Sequence, residues 1–170
     1  MITMAALRRV IERLDRAIGF SVAYAHCDIP CGIYDPHAAQ LAAHTVVRMD
    51  MLIAEVMKGG MQSAEDRNKL VRYVSVKEQH AEIVKHEVAI IWGDYMKPEH
   101  AAANPELHSL VWNTLKLAGK AKQSTEIKDA EALLESVQKF AEAFWKTKNV
   151  PTARMKSFYP TERTFVYPKA

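Results

Sequence analysis

Apolar residues return along this chain every three or four positions, the spacing that gives an α-helix one buried stripe. Leu7, Val10, Ile11, Leu14 and Ile18 form the first stripe, with Arg8, Arg9, Glu12, Arg13, Asp15 and Arg16 on the opposite face. A second runs through Ala42, Val46, Met49, Ile53 and Val56 and is closed by Gly59-Gly60. Asp35-Pro36 opens it with the form of an N-cap followed by proline at the first helical position. A third begins near Ser63, where Asp66 suggests a capping box, and continues through Leu70, Val74, Ala81, Val84, Val88, Ile91 and Tyr95 to Pro98. Asn104-Pro105 repeats the cap-and-proline signal before Leu107, Leu110, Val111, Thr114 and Leu115, with Gly119 as the expected stop. Ala130, Leu133, Leu134, Val137, Phe140, Ala141 and Phe144 make the last stripe.

Short polar connections and the lack of a convincing strand point to an all-α protein, an antiparallel four-helix bundle over residues 35–148. The first 25 residues form a unit of their own. As a secretory signal they are poor, because charges at Arg13, Asp15 and Arg16 leave a short apolar core. Ala23-Tyr24-Ala25 nevertheless has the small-x-small form of a processing site, so residues 1–25 are expected to be a propeptide removed before His26. An ordinary first helix and a membrane-surface anchor are the alternatives. The tail, Asn149 to Ala170, carries three prolines with Phe158, Tyr159, Phe165 and Tyr167. It is too aromatic for a merely solvated segment and is predicted to lie along the bundle or a neighbouring subunit.

A length of 170 residues, 49% of them hydrophobic and 25% charged, suits one globular domain that folds without staples. The net charge of +3 is too mild to argue for nucleic acid, although it favours a small anionic substrate. No apolar run reaches the roughly 18 residues of a membrane span. Two cysteines cannot build a disulfide framework, and free thiols suit a reducing cytoplasm.

The chemistry concentrates in His26-Cys27-Asp28-Ile29-Pro30-Cys31-Gly32-Ile33-Tyr34, which holds both cysteines of the chain beside a histidine. Pro30 and Gly32 exclude a regular helix here, so a turn brings the thiols together. Two thiolates and an imidazole favour a soft metal. Three side chains alone permit a catalytic zinc. If the chain is cut before His26, that residue also offers an amine of pKa about 8. Amine, backbone nitrogen and two thiolates would then make the planar set characteristic of Ni(II) or Cu(II). Two other readings stand beside this one: a thiol redox-sensing or metal-binding module in which Cys27 and Cys31 form a reversible disulfide, and a structural bundle in which the stretch is only a loop. His37, His44, His86, His100 and His108 are scattered and read as surface or capping residues.

HCDIPCGIYDP resembles the nickel hook of the nickel-containing superoxide dismutases, whose mature chain begins at that histidine. KEQHAEIVKHEVAIIWGDYMKP from Lys77, PELHSLVWNTLK from Pro105 and FWKTK from Phe144 resemble the family's later helices, so the likeness covers residues 26–148. It implies a four-helix-bundle subunit, a homohexamer, and one nickel per subunit cycling between Ni(II) and Ni(III). One superoxide would leave as oxygen and a second, with two protons, as hydrogen peroxide. It further implies that His26, Cys27 and Cys31 supply the ligands, that Asp28 and Pro30 shape the hook, and that Tyr34 and Tyr95 order water and limit access at the open face. A processing protease and a nickel chaperone would be partners. In the best-known members a glutamate and an arginine hold the axial histidine ring. The aligned positions here are Ala42 and His80, so His80 is the candidate replacement.

Overall fold

The computed structural model describes residues 32–169. The amphipathic helix expected over the first 25 residues, and the hook through Cys31, lie outside the described residues.

Helix α1 spans His37–Lys58. Asp35 Oδ1 accepts the His37 N–H at 2.7 Å, although Pro36 rather than Asp35 occupies the cap position itself. The helix ends as expected at Gly59-Gly60, where Gly60 takes φ +78, a conformation open to glycine at no steric cost. Helix α2, Ala64–Ile90, starts with the capping box read from the sequence: Asp66 N–H donates to Ser63 Oγ at 3.0 Å, and Ser63 N–H to Asp66 Oδ2 at 3.3 Å. Its last turn widens into a π-helical segment, Ile91–Tyr95, closed by the Met96 N–H donating to Ile91 O at 3.0 Å. Lys97, held extended by the following proline, breaks the run.

A short helix α3, Pro98–Ala103, precedes α4, Leu107–Gln123. Glycine does not stop α4 at position 119, because the fully buried Ala118 and Ala121 carry the packed face past it. That burial outweighs the roughly 1 kcal/mol cost of an interior glycine. Helix α5, Ile127–Thr147, ends at Asn149, which takes φ +56. Asn149 N–H donates to Lys146 O at 3.0 Å and Val150 N–H to Trp145 O at 3.1 Å, the paired closure of a Schellman motif.

Helices α1, α2, α4 and α5 each pack on the next, and α5 returns to α1, so the four close a ring around one core. Small residues dominate where helices approach, among them Ala39, Ala43, Ala81, Ala118 and Ala130, while Phe140 and Phe144 of α5 fill the remaining volume. One ion pair is sealed inside. Lys77 of α2 lies 3.1 Å from Asp50 of α1, both side chains almost wholly buried, and the ammonium also donates to the Ser124 carbonyl beyond α4. Burial pushes the Asp50 carboxyl up, against the pull of Lys77.

The mostly helical class read from the sequence is what the chain adopts, but the tail adds two strands that the sequence pattern did not show. Strands β1, Thr152–Lys156, and β2, Thr164–Pro168, pair antiparallel with Arg154 opposite Val166. The hairpin lies against α1 and α5. Gln40 of α1 donates to Val166 O at 3.1 Å and accepts the Val166 N–H at 2.8 Å, completing a strand edge with a side chain. Arg154 bridges Glu135 and Glu142 on α5, and Arg163 pairs with Glu131. His44, expected to be a surface or capping residue, is instead buried under the hairpin, since the tail covers a second side of α1. His100 does cap: its Nδ1 accepts the Lys97 N–H.

Candidate metal centre and its surroundings

The described chain starts at Gly32, in the left-handed conformation at φ +73, directly after the cysteine stretch. Two residues later Tyr34 turns onto the bundle, and its ring meets that of Tyr95 at 5.5 Å between centroids. Tyr95 comes from the π-helical turn at the end of α2, a kind of insertion that is frequent at functional sites. Both tyrosines are site residues expected from the sequence, and the fold brings them together.

Tyr95 is enclosed by residues whose part at this site the sequence pattern did not show. His100 stacks on it at 5.4 Å, Phe144 packs at 4.9 Å, and the Lys148 ammonium lies 5.1 Å above the ring. Tyr95 Oη is 2.7 Å from Thr147 Oγ1, which itself donates to Phe144 O at 2.7 Å. A threonine hydroxyl has one hydrogen. With that hydrogen given to the carbonyl, Tyr95 is the donor to Thr147. Thr147 and Lys148 both lie in FWKTK, the segment already picked out for its resemblance, so the signal was present without a role attached.

His80 sits on α2, half-buried, with Nδ1 2.8 Å from the Val76 carbonyl one turn back. A carbonyl only accepts, so Nδ1 carries the hydrogen and Nε2 is left with a lone pair. Ala42 is buried in the core cluster against which Tyr34 and Tyr95 also pack. His26, Cys27, Asp28, Pro30 and Cys31 lie outside the described residues. Their donor chemistry fits nickel, with two thiolates, an imidazole and a nitrogen-rich chain end if the preceding residues are removed. Among the described residues no group of three or more His, Cys, Asp or Glu side chains is placed to hold a metal.

Residues 21–148 match the family described as nickel-containing superoxide dismutase. The chain belongs to that family. The nickel superoxide dismutase of Streptomyces coelicolor is 40% identical over 124 residues, covering 73% of this chain and 88% of the relative. That of Streptomyces seoulensis is 36% identical over the same length and coverage. A native nickel superoxide dismutase structure is similar with a TM-score of 0.65 at 37% identity, covering 73% of this chain and 99% of that one. A structure with nickel ligation corresponding to the oxidized state gives 0.65 at 35% identity, with the same coverage of both chains. The family match takes in the hook, Tyr34, His80, Tyr95 and the four bundle helices, and it stops at Lys148, where α5 ends. The hairpin lies wholly beyond it.

Proposed function

We propose that this chain is a nickel-dependent superoxide dismutase, converting superoxide to oxygen and hydrogen peroxide. The family match across residues 21–148 carries the reading, because it spans His26, Cys27 and Cys31 together with the bundle that follows them. His26 would hold the metal through its amine and ring, Cys27 through its thiolate and backbone nitrogen, and Cys31 through its thiolate. Nickel bound there supplies a one-electron Ni(III)/Ni(II) couple, its potential lowered by thiolate donation.

The remaining residues prepare the site. Asp28 and Pro30 shape the turn that presents the donors. Tyr34 and Tyr95 limit access and order water, with Tyr95 fixed by Thr147 on one side and His100 on the other. The partial positive charge at the start of α1 favours thiolates and an approaching anion. His80 offers its Nε2 lone pair to the His26 ring in place of the carboxylate that Ala42 lacks.

Residues 1–25 act as a propeptide whose removal by a processing protease frees the His26 amine. Assembly as a homohexamer, delivery of one nickel per subunit by a chaperone, and a cytoplasmic location complete the proposal. No helix of the described residues is long and apolar enough to cross a membrane, and none is needed.

The test is replacement of Cys27 or Cys31 by Ser in the chain that begins at His26. Loss of both nickel and dismutation, with helical circular dichroism retained, is the expected result. Full activity in Cys27→Ser would show that the ligands are assigned wrongly.

A further inference from the structure

The hairpin is the one element of the described chain that the family match leaves unexplained. A solved native relative is covered over 99% of its own length by 73% of this chain. The hairpin follows the stretch that the family match spans and is an addition to that bundle.

Its docking is unusually polar. Apart from Phe165 and Val166, both buried, the attachment runs through side-chain bonds: Gln40 to both backbone groups of Val166, His44 to Thr161 and Thr164, and Gln138 to the Thr164 carbonyl. His44 is the centre of this set. Its Nε2 lies 3.0 Å from the Thr164 carbonyl and therefore carries the hydrogen, while Nδ1 lies 2.8 Å from Thr161 Oγ1. Phe165 stacks on the ring at 5.6 Å and Tyr159 meets it edge-on at 5.2 Å.

Among the described residues no carboxylate neutralises this ring. From the hairpin it faces Tyr159 and the cationic Arg163. On α1 the residues one turn away are Gln40 and Arg48. From α5 come Gln138 and Glu131, and Glu131 is engaged by Arg163, whose Nε donates to it at 3.0 Å. An imidazolium here would be buried, without a counter-charge and beside a guanidinium.

The same hairpin reaches the helix start that follows the cysteine stretch. Phe165 packs on His37 at 5.0 Å, in the first turn of α1, and Gln40 lies in the second. We propose that residues 152–168 form a pH-sensitive strap, latched across α1 and α5 while His44 is neutral, holding the first turns of α1, and released when His44 is protonated. A consequence for the metal rests on reading residues 26–34 as the nickel hook. The strap itself does not.

Burial, reinforced by Arg163 and only partly opposed by the Thr164 carbonyl, holds the His44 pKa below its ordinary 6.5. The released form thus binds the proton more readily than the docked form. Docking is at full strength above pH 6.5 and weakens as pH falls through that value toward the docked pKa.

Hydrogen exchange of the full, metal-free chain, corrected for intrinsic rates, reads the strap directly and is indifferent to whether the protein is a dismutase. Between about pH 8 and about pH 5, amides of the hairpin should lose roughly tenfold or more of their protection while those of α4 keep theirs. The His44 ring, followed by NMR in the same chain, should titrate below 6.5, at the acid end of that loss. In His44→Gln, which keeps a donor and an acceptor but no titration, the pH dependence should vanish. Equal hairpin protection at both pH values, a ring midpoint at or above 6.5, or an undiminished pH dependence in His44→Gln would each overturn the proposal.

Discussion

The rings of Tyr34 and Tyr95 lie 5.5 Å apart at 47°, joining the segment that leaves the cysteine stretch to the π-helical turn that ends α2. Tyr95 spends its hydroxyl hydrogen on Thr147, at the last turn of α5. Tyr34, three residues after Cys31 in the sequence, thereby packs on a side chain tied to the end of the last bundle helix.

Removing that bond from either side should cost stability. Tyr95→Phe is expected to lower unfolding free energy by about 1 kcal/mol, the usual net worth of such a bond, and Thr147→Val, which also gives up the bond to Phe144 O, by at least as much. The double variant should be little worse than the larger single loss. Urea unfolding measures all three. Additive losses would mean that the two hydroxyls do not act as a pair.

The sealed Lys77–Asp50 pair makes a larger prediction. Lys77→Met leaves a buried carboxylate without its partner and should cost about 3–5 kcal/mol. Replacing Asp50 by Leu at the same time should recover most of this, since a matched apolar pair removes both buried charges. A single variant as stable as the parent would show that the interior is wetter than the packing implies.

Gln40 stands in for a neighbouring strand, and its replacement tests that role. Gln40→Leu keeps the volume but strands the Val166 N–H and C=O, each costing about 1–3 kcal/mol when buried unpaired. Limited proteolysis should then cut within residues 149–169 first, with α4 and α5 still resistant. Unchanged resistance of the tail would contradict the edge assignment.

Much of this architecture was readable from residue patterns. Ser63 with Asp66, Asp35 before Pro36 and Gly59-Gly60 act through contacts a few residues apart, and each marks a real helix end. Gly119 misled because tertiary burial of Ala118 and Ala121 overrides a local breaker. The strands escaped notice because β2 buries Phe165 and Val166 side by side, so the polar alternation of a half-exposed strand is missing. Gln40 and His44, one turn apart on α1, and Glu131, Glu135, Gln138 and Glu142 on one face of α5 were the traces of the hairpin. They became intelligible only with the tail in place. At the candidate centre the tyrosines were named in advance, whereas Thr147 and His100 depend on contacts that spacing does not encode.

His80 is expected to tune the centre without holding the metal. With Nδ1 committed to Val76, its Nε2 is the available acceptor. His80→Ala should lower dismutation by about 10 to 100-fold while nickel content stays the same, the usual scale for losing a partner of a ligand histidine. His80→Gln, which keeps an acceptor, should recover part of the loss. Nickel loss in parallel with activity would make His80 a ligand or a folding residue instead.

In the proposed function, the hook becomes a dismutase centre only when His26 is the first residue. Before cleavage its nitrogen is an amide whose lone pair is delocalised into the carbonyl, so it is no amine ligand. The decisive measurement is superoxide removal per bound nickel, compared between a chain beginning at His26 and the full chain made uncleavable at Ala25-His26, with mass spectrometry confirming both. Rapid dismutation by the first and essentially none by the second is the expected result. Equal activity per nickel in the intact full chain would contradict it.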